Sequence, residues 1–131
     1  MTVLVGFVPT PEGEAALRAG LQEARTRGES LLVLNTSRGD SYVDRGFAEP
    51  KDIDRLRRDL ADLGIASEVR QTVGGRDAAE EIVEVAASPE ISLVVIGLRK
   101  RSAVGKFVLG SSAQRILLDS PCPVLAVKAD S

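Results

Sequence analysis

The 131-residue chain has no histidine and no tryptophan, a single cysteine, one tyrosine and three phenylalanines. Each scarcity removes a class of function. Without histidine, the commonest general base and nitrogen ligand for metals is missing, so conventional acid–base catalysis is not favoured. Aromatics make up 3% of the chain, too few for the stacking platforms that hold single-stranded nucleic acid. The net charge of −2 and the pI near 5.2 lack the basic excess of a general nucleic-acid binder. Cys122 stands alone and cannot close an internal disulfide, which fits a reducing cytoplasm. Long hydrophobic runs are missing too. The opening "VLVGFV" is too short for a signal-peptide core or a membrane span, and no basic region precedes it. The expectation is a cytoplasmic protein with neither nucleic acid nor membrane as partner.

What is present suits one domain spanning residues 1–131. The chain is 44% hydrophobic and 27% charged, the composition of a globular protein large enough to bury a core. Four short apolar runs, "TVLVGFV" (2–8), "SLLVLN" (30–35), "ISLVVIG" (91–97) and "PVLAVK" (123–128), read as strands buried on both faces. A fifth, "ASEVRQTV" (66–73), alternates, with Val69 and Val73 on one side and Glu68, Arg70 and Thr72 on the other, as in a half-exposed edge strand.

Helical patterns fill the gaps. Thr10 offers an N-cap before Pro11, Leu17, Leu21 and Ala24 share a face, and Gly28 supplies a C-cap. Ile53, Leu56, Leu60 and Leu63 form a second apolar stripe ending at Gly64. Asp77 can cap a third helix that turns Ala79, Ile82, Val83 and Ala86 inward before Pro89. The fourth begins at Ser111, buries Ile116 and Leu117 and halts at Pro121. Strict β-α alternation with buried strands predicts an α/β fold: an open parallel five-stranded sheet with helices on both faces. No internal repeat, low-complexity tract or linker interrupts it. The long irregular stretch "TSRGDSYVDRGFAEP" (36–50) suits either a functional lid or a partly ordered surface loop.

One segment concentrates chemistry. "VVIGLRKRSAVGKFVLGSSAQRI" (94–116) runs from a strand into a helix through Gly97, Gly105 and Gly110, with Arg99, Lys100, Arg101 and Lys106 between them. Gly97 at a strand end lets backbone or ligand approach closely. Ser111 with Gln114 three residues later reads as a capping box, and free N–H groups at a helix start form an anion site. Phosphate is the natural guest. It is not held in a P-loop: "VGKF" around Lys106 lacks the first glycine and the Ser/Thr, and no G-x-G-x-x-G follows the first strand. Other residues read as structural. Val104, Phe107 and Val108 have the spacing of a packed helical turn, and Cys122 has no activating partner and reads as a small buried hydrophobe. Tyr42 and Phe47 suit anchoring of the long loop or stacking on a base. Asp40, Asp44 and Glu49 show no metal-ligand spacing.

The span from Val94 to Lys128 resembles the universal stress protein family, whose nucleotide-binding members carry G-2x-G-9x-G-[S/T] after the fourth strand. Here the pattern reads Gly97, Leu98, Arg99, then Lys100 in place of the second glycine, nine residues, Gly110 and Ser111; "SPCPVLAVK" is similar to the family's last strand. The resemblance implies a sheet of order 3-2-1-4-5, a role in stress response, and an adenine nucleotide, ATP or AMP, bound rather than turned over, with Mg arriving on its phosphates. It implies that amides near Gly97, Arg99, Gly110, Ser111 and Ser112 hold the phosphates, with the two hydroxyls assisting and Lys100 adding charge on that side, that Val8, Pro9 and Thr10 flank the adenosine, and that Thr36 lies near the adenine edge. It also implies a homodimer through the C-terminal strand. Two departures are visible: Lys100 stands for a glycine, and Val8 for an aspartate of the nucleotide-binding members. A slow nucleotide hydrolase and a dimeric interaction module without nucleotide are the alternative functions.

Overall fold

The computed structural model describes residues 1–37, 48–73, 77–98, 100–101, 106–107 and 109–129. In chain order the elements are β1 (Thr2–Gly6), α1 (Pro11–Arg27), β2 (Ser30–Ser37), α2 (Pro50–Asp62), β3 (Ser67–Val73) and α3 (Ala78–Ala86). They continue with β4 (Ile91–Leu98), β5 (Lys100–Arg101), β6 (Lys106–Phe107), α4 (Ser111–Asp119) and β7 (Val124–Lys128). Five strands form one parallel sheet in the order β3-β2-β1-β4-β7. With β7 as the fifth large strand, this is the order 3-2-1-4-5.

Side-chain alternation splits the core into two layers. Val3 and Val5 of β1, Leu31 and Val33 of β2, and Leu93 and Val95 of β4 pack with Leu17 of α1 and Ile53, Leu56 and Leu60 of α2. Their neighbours Leu4, Leu32, Leu34, Val94 and Ile96 pack on the other face with Ile82 of α3 and Ile116 of α4. Strands covered on both faces need apolar side chains at every position, hence the continuous runs.

Local signals place the first three helices. Thr10 Oγ1 accepts from the Gly13 amide at 3.3 Å, Pro11 is the first helical residue, and Gly28 ends α1 at φ 67°. Asp77 Oδ1 accepts from the Glu80 amide at 2.8 Å at the start of α3. In α2, Ile53, Leu56 and Leu60 are buried, but Leu63 is 45% exposed. The helix ends at Asp62 and Leu63 is its C-cap, so the expected fourth member of the stripe falls off the inward face. Half-exposed β3 lies at the sheet edge, with Val69 inward.

Three expectations near the C-terminus are corrected. Gly110, not Ser111, is the N-cap of α4; it is extended at φ −69° and ψ 168°, and no side chain caps the helix. Ser111 is therefore already helical, and Gln114 is too far along for a capping box, so its amide group donates to the Leu109 carbonyl at 3.3 Å instead. Leu117 is 40% exposed, because one helical step from buried Ile116 turns it outward. Phe107 lies in a short antiparallel hairpin, with β6 pairing to β5, rather than in a helical turn; Val104 and Val108 lie outside the described residues. Cys122 is half-buried against the α3–α4 layer. No described helix is long and apolar enough to cross a membrane.

Candidate functional site at the sheet switch point

The chain runs from β1 outward to β2 and β3, then returns to β4 on the other side of β1. Crossovers to both sides leave a crevice beyond the carboxyl ends of β1 and β4, where open parallel sheets take ligands. A cleft of about 150 Å³ lies there. Val8, Thr36, Gly97 and Ser112 line it, four of the residues singled out in the sequence, from four different segments. Gly110 and Ser111 sit beside it at the start of α4, both exposed. Pro9 and Thr10 do not line it; the Thr10 hydroxyl is engaged in capping α1. Lys100 pairs with Phe107 in the hairpin that follows β4. Arg99, Tyr42, Phe47, Asp40 and Asp44 lie outside the described residues.

Two glycines make the floor of the cleft possible. A Cβ on Gly97 would stand 1.9 Å from the Glu12 carbonyl oxygen, and one on Gly13 would stand 1.7 Å from the Val8 carbonyl oxygen. The first turn of α1 thus lies main chain to main chain against β4 and the loop after β1. Of the two possibilities open at Gly97, backbone is what approaches. At Gly110 the reverse holds: a Cβ would meet nothing within 4 Å.

The start of α4 is electrostatically unlike the other helix starts. Acidic side chains occupy the first turns of α1 (Glu12, Glu14), α2 (Asp52) and α3 (Glu80, Glu81), whereas α4 has none. Its first ladder bond runs from the Gln114 amide to the Gly110 carbonyl at 2.9 Å, so the amides of Ser111, Ser112 and Ala113 precede any ladder partner. Uncompensated N–H groups there favour an anion. Arg115, one turn on, bridges to Asp77 (3.3 Å) and Glu80 (3.1 Å) and ties α4 to α3.

Several contributors were not anticipated. Glu12 brings an acidic side chain to the cleft, and Phe7, Ile82 and Ile96 give it an apolar lining. Asn35 is fully buried, and Gln71 hydrogen-bonds it from β3; nothing in the spacing of either residue advertises that role. Glu49 is the N-cap of α2 and pairs with Lys51 at 3.4 Å. Among the described residues no cluster of three His, Cys, Asp or Glu side chains could hold a metal ion. A larger cleft of about 340 Å³ opens at the opposite end of the sheet, lined by residues such as Thr2, Ser30, Glu68 and Arg70. There Glu68 and Arg70 pair with each other at 2.9 Å, and no helix start of the α4 kind adjoins it.

An open parallel sheet with a lined cleft at its switch point and an uncapped helix start beside it defines a doubly wound α/β domain. Comparison with known proteins then narrows the class. Residues 1–128 match the universal stress protein family, and the chain belongs to that family. It is 47% identical over 126 residues to a universal stress protein of Mycolicibacterium smegmatis, covering 96% of both chains. Among solved structures, a universal stress protein from Archaeoglobus fulgidus superposes with a TM-score of 0.80 at 29% identity, over 98% of each chain. Another from the same organism, in complex with dAMP, superposes with a TM-score of 0.68 at 25% identity, again over 98% of each.

Proposed function

We propose that this chain is a cytoplasmic stress-response protein that binds an adenine nucleotide, ATP or AMP, at the switch-point cleft and acts through binding and partner contact. The observation that carries the reading is the convergence of Val8, Thr36, Gly97 and Ser112 on one cleft beside the uncapped start of α4. The nucleoside occupies the side formed by Val8 and Thr36. The phosphates lie toward Gly110, Ser111 and Ser112, with Lys100 adding charge from the hairpin and Mg accompanying a triphosphate. The relative solved with dAMP supports an adenine nucleotide as guest. With no histidine in the chain, hydrolysis has no evident base, so the nucleotide acts as a bound signal rather than a substrate.

The proposal includes a homodimer through β7. That strand ends the sheet and is apolar, with Leu125 37% exposed, and an open edge of this kind pairs readily with another chain. Isothermal titration against ATP, ADP and AMP tests the ligand. Micromolar or tighter heats for at least one of them are expected, and no binding up to millimolar concentration overturns the assignment.

A further inference from the structure

Asn35 is 0% exposed, the only buried polar residue among the described residues. It follows Leu34 in β2 and precedes Thr36, and strand alternation sends its side chain to the face opposite the cleft that Leu34 and Thr36 line. Its amide group spans two loops. Nδ2 donates to the Phe7 carbonyl at 2.8 Å, and Oδ1 accepts from the Ala48 amide at 2.9 Å. Gln71 of β3 completes the arrangement: its Nε2 donates to Asn35 Oδ1 at 3.0 Å and to the Ala48 carbonyl at 2.8 Å. The Phe7 amide donates to the Leu34 carbonyl at 2.9 Å. Both main-chain polar groups of Phe7, and both of Ala48, are thereby held by β2 and β3.

A buried amide at a strand end costs free energy unless its bonds are made, and an apolar residue would fill the same volume. What the polar pair adds is position. Phe7 is the last residue before Val8, and Ala48 lies two residues before the start of α2 at Pro50. We infer that Asn35 and Gln71 form a clamp that positions the nucleoside side of the cleft: from behind the sheet the clamp fixes the main chain at Phe7, next to Val8, and at Ala48. Neither side chain touches the ligand. The inference rests on the reading that Val8 and Thr36 face the nucleoside while α4 faces the phosphates.

The clamp therefore acts on one end of the ligand. Gln71→Met releases the Ala48 carbonyl at a half-buried edge position. Asn35→Asp keeps the oxygen that accepts from Ala48 and Gln71 and removes the donor to Phe7. Each full-length variant is titrated with AMP and with tripolyphosphate, and amide hydrogen exchange is followed at Ala48. Gln71→Met is expected to weaken AMP by about threefold to tenfold, leave tripolyphosphate within about twofold, and speed Ala48 exchange by about tenfold. Asn35→Asp is expected to weaken AMP similarly; if its buried carboxylate prevents folding, Gln71→Met decides alone. Parallel loss of both ligands, unchanged AMP binding, or unchanged Ala48 exchange in Gln71→Met overturns the clamp. If the parent takes ATP but not AMP, ATP replaces AMP in the titration; a parent that takes none of ATP, ADP and AMP overturns the nucleotide reading instead, and Ala48 exchange then decides the clamp by itself.

Discussion

Gly110→Val isolates the phosphate end of the site. The N-cap backbone is extended at φ −69° and ψ 168°, which a β-branched residue adopts readily. An added Cβ meets no atom within 4 Å. The cost to the fold is therefore that of a poorer N-cap, about 0.5–1 kcal/mol. The cost to the ligand is larger. The branched side chain fills the space before the Ser111 and Ser112 amides, and each charge-assisted bond lost is worth about 1.5–3 kcal/mol. One such bond corresponds to roughly tenfold to a hundredfold in Kd. Calorimetric titration with ATP reads that change, and urea unfolding confirms the small stability loss. Ser111→Ala is the companion: the hydroxyl caps nothing, so stability should move by less than about 0.5 kcal/mol while affinity falls by about twofold to tenfold. A folded Gly110→Val protein that binds ATP as tightly as the parent refutes the placement of phosphates at α4.

Four further outcomes are expected. Gly97→Ala forces the Glu12 carbonyl away from 1.9 Å and should cost about 3 kcal/mol, read as a lower urea midpoint at unchanged slope. Val8→Asp, which adds a carboxylate at the rim of the cleft, should tighten adenosine by about tenfold or more without changing tripolyphosphate; equal effects on both would argue against Val8 facing the nucleoside. Glu12→Gln should strengthen tripolyphosphate by about twofold to fivefold, an effect that fades at high salt. For the dimer, the Val94 amide donates to the Pro123 carbonyl at 3.0 Å, and the parallel ladder then directs the main-chain N–H and C=O of Leu125 toward β4 and those of Ala126 to the open edge. Ala126→Pro should leave the fold intact and give a monomer by light scattering, and a folded dimer would exclude this edge.

The parallel sheet and its main elements were legible because two-sided burial writes itself as continuous apolar runs, and caps such as Thr10, Asp77 and Gly28 have local signatures; the strand order came from the family resemblance. From the residues alone, the candidate site was legible only where backbone chemistry dominates, at Gly97 and the start of α4; Val8 and Thr36 came from the family resemblance. The frame of α4 was misjudged by one residue, because a glycine in extended conformation serves as N-cap without any side-chain mark. The β5–β6 hairpin escaped because two-residue strands carry no periodicity. Asn35 escaped for a different reason. A polar residue at the end of an apolar run looks like the start of a loop, and only the convergence of Phe7, Ala48 and Gln71, distant in sequence, shows it to be interior.

The close seating of Gly13 against Val8 and of Gly97 against Glu12 restricts how this cleft could be adapted to a new guest. At these two positions even a methyl group would collide with main chain, so their side chains are not available as variables. Any retuning would fall instead to rim positions such as Val8, Thr36 and Ser112, whose replacement leaves the α1–β4 seam intact. One scaffold could in this way exchange one guest for another through substitutions that its folding would scarcely register.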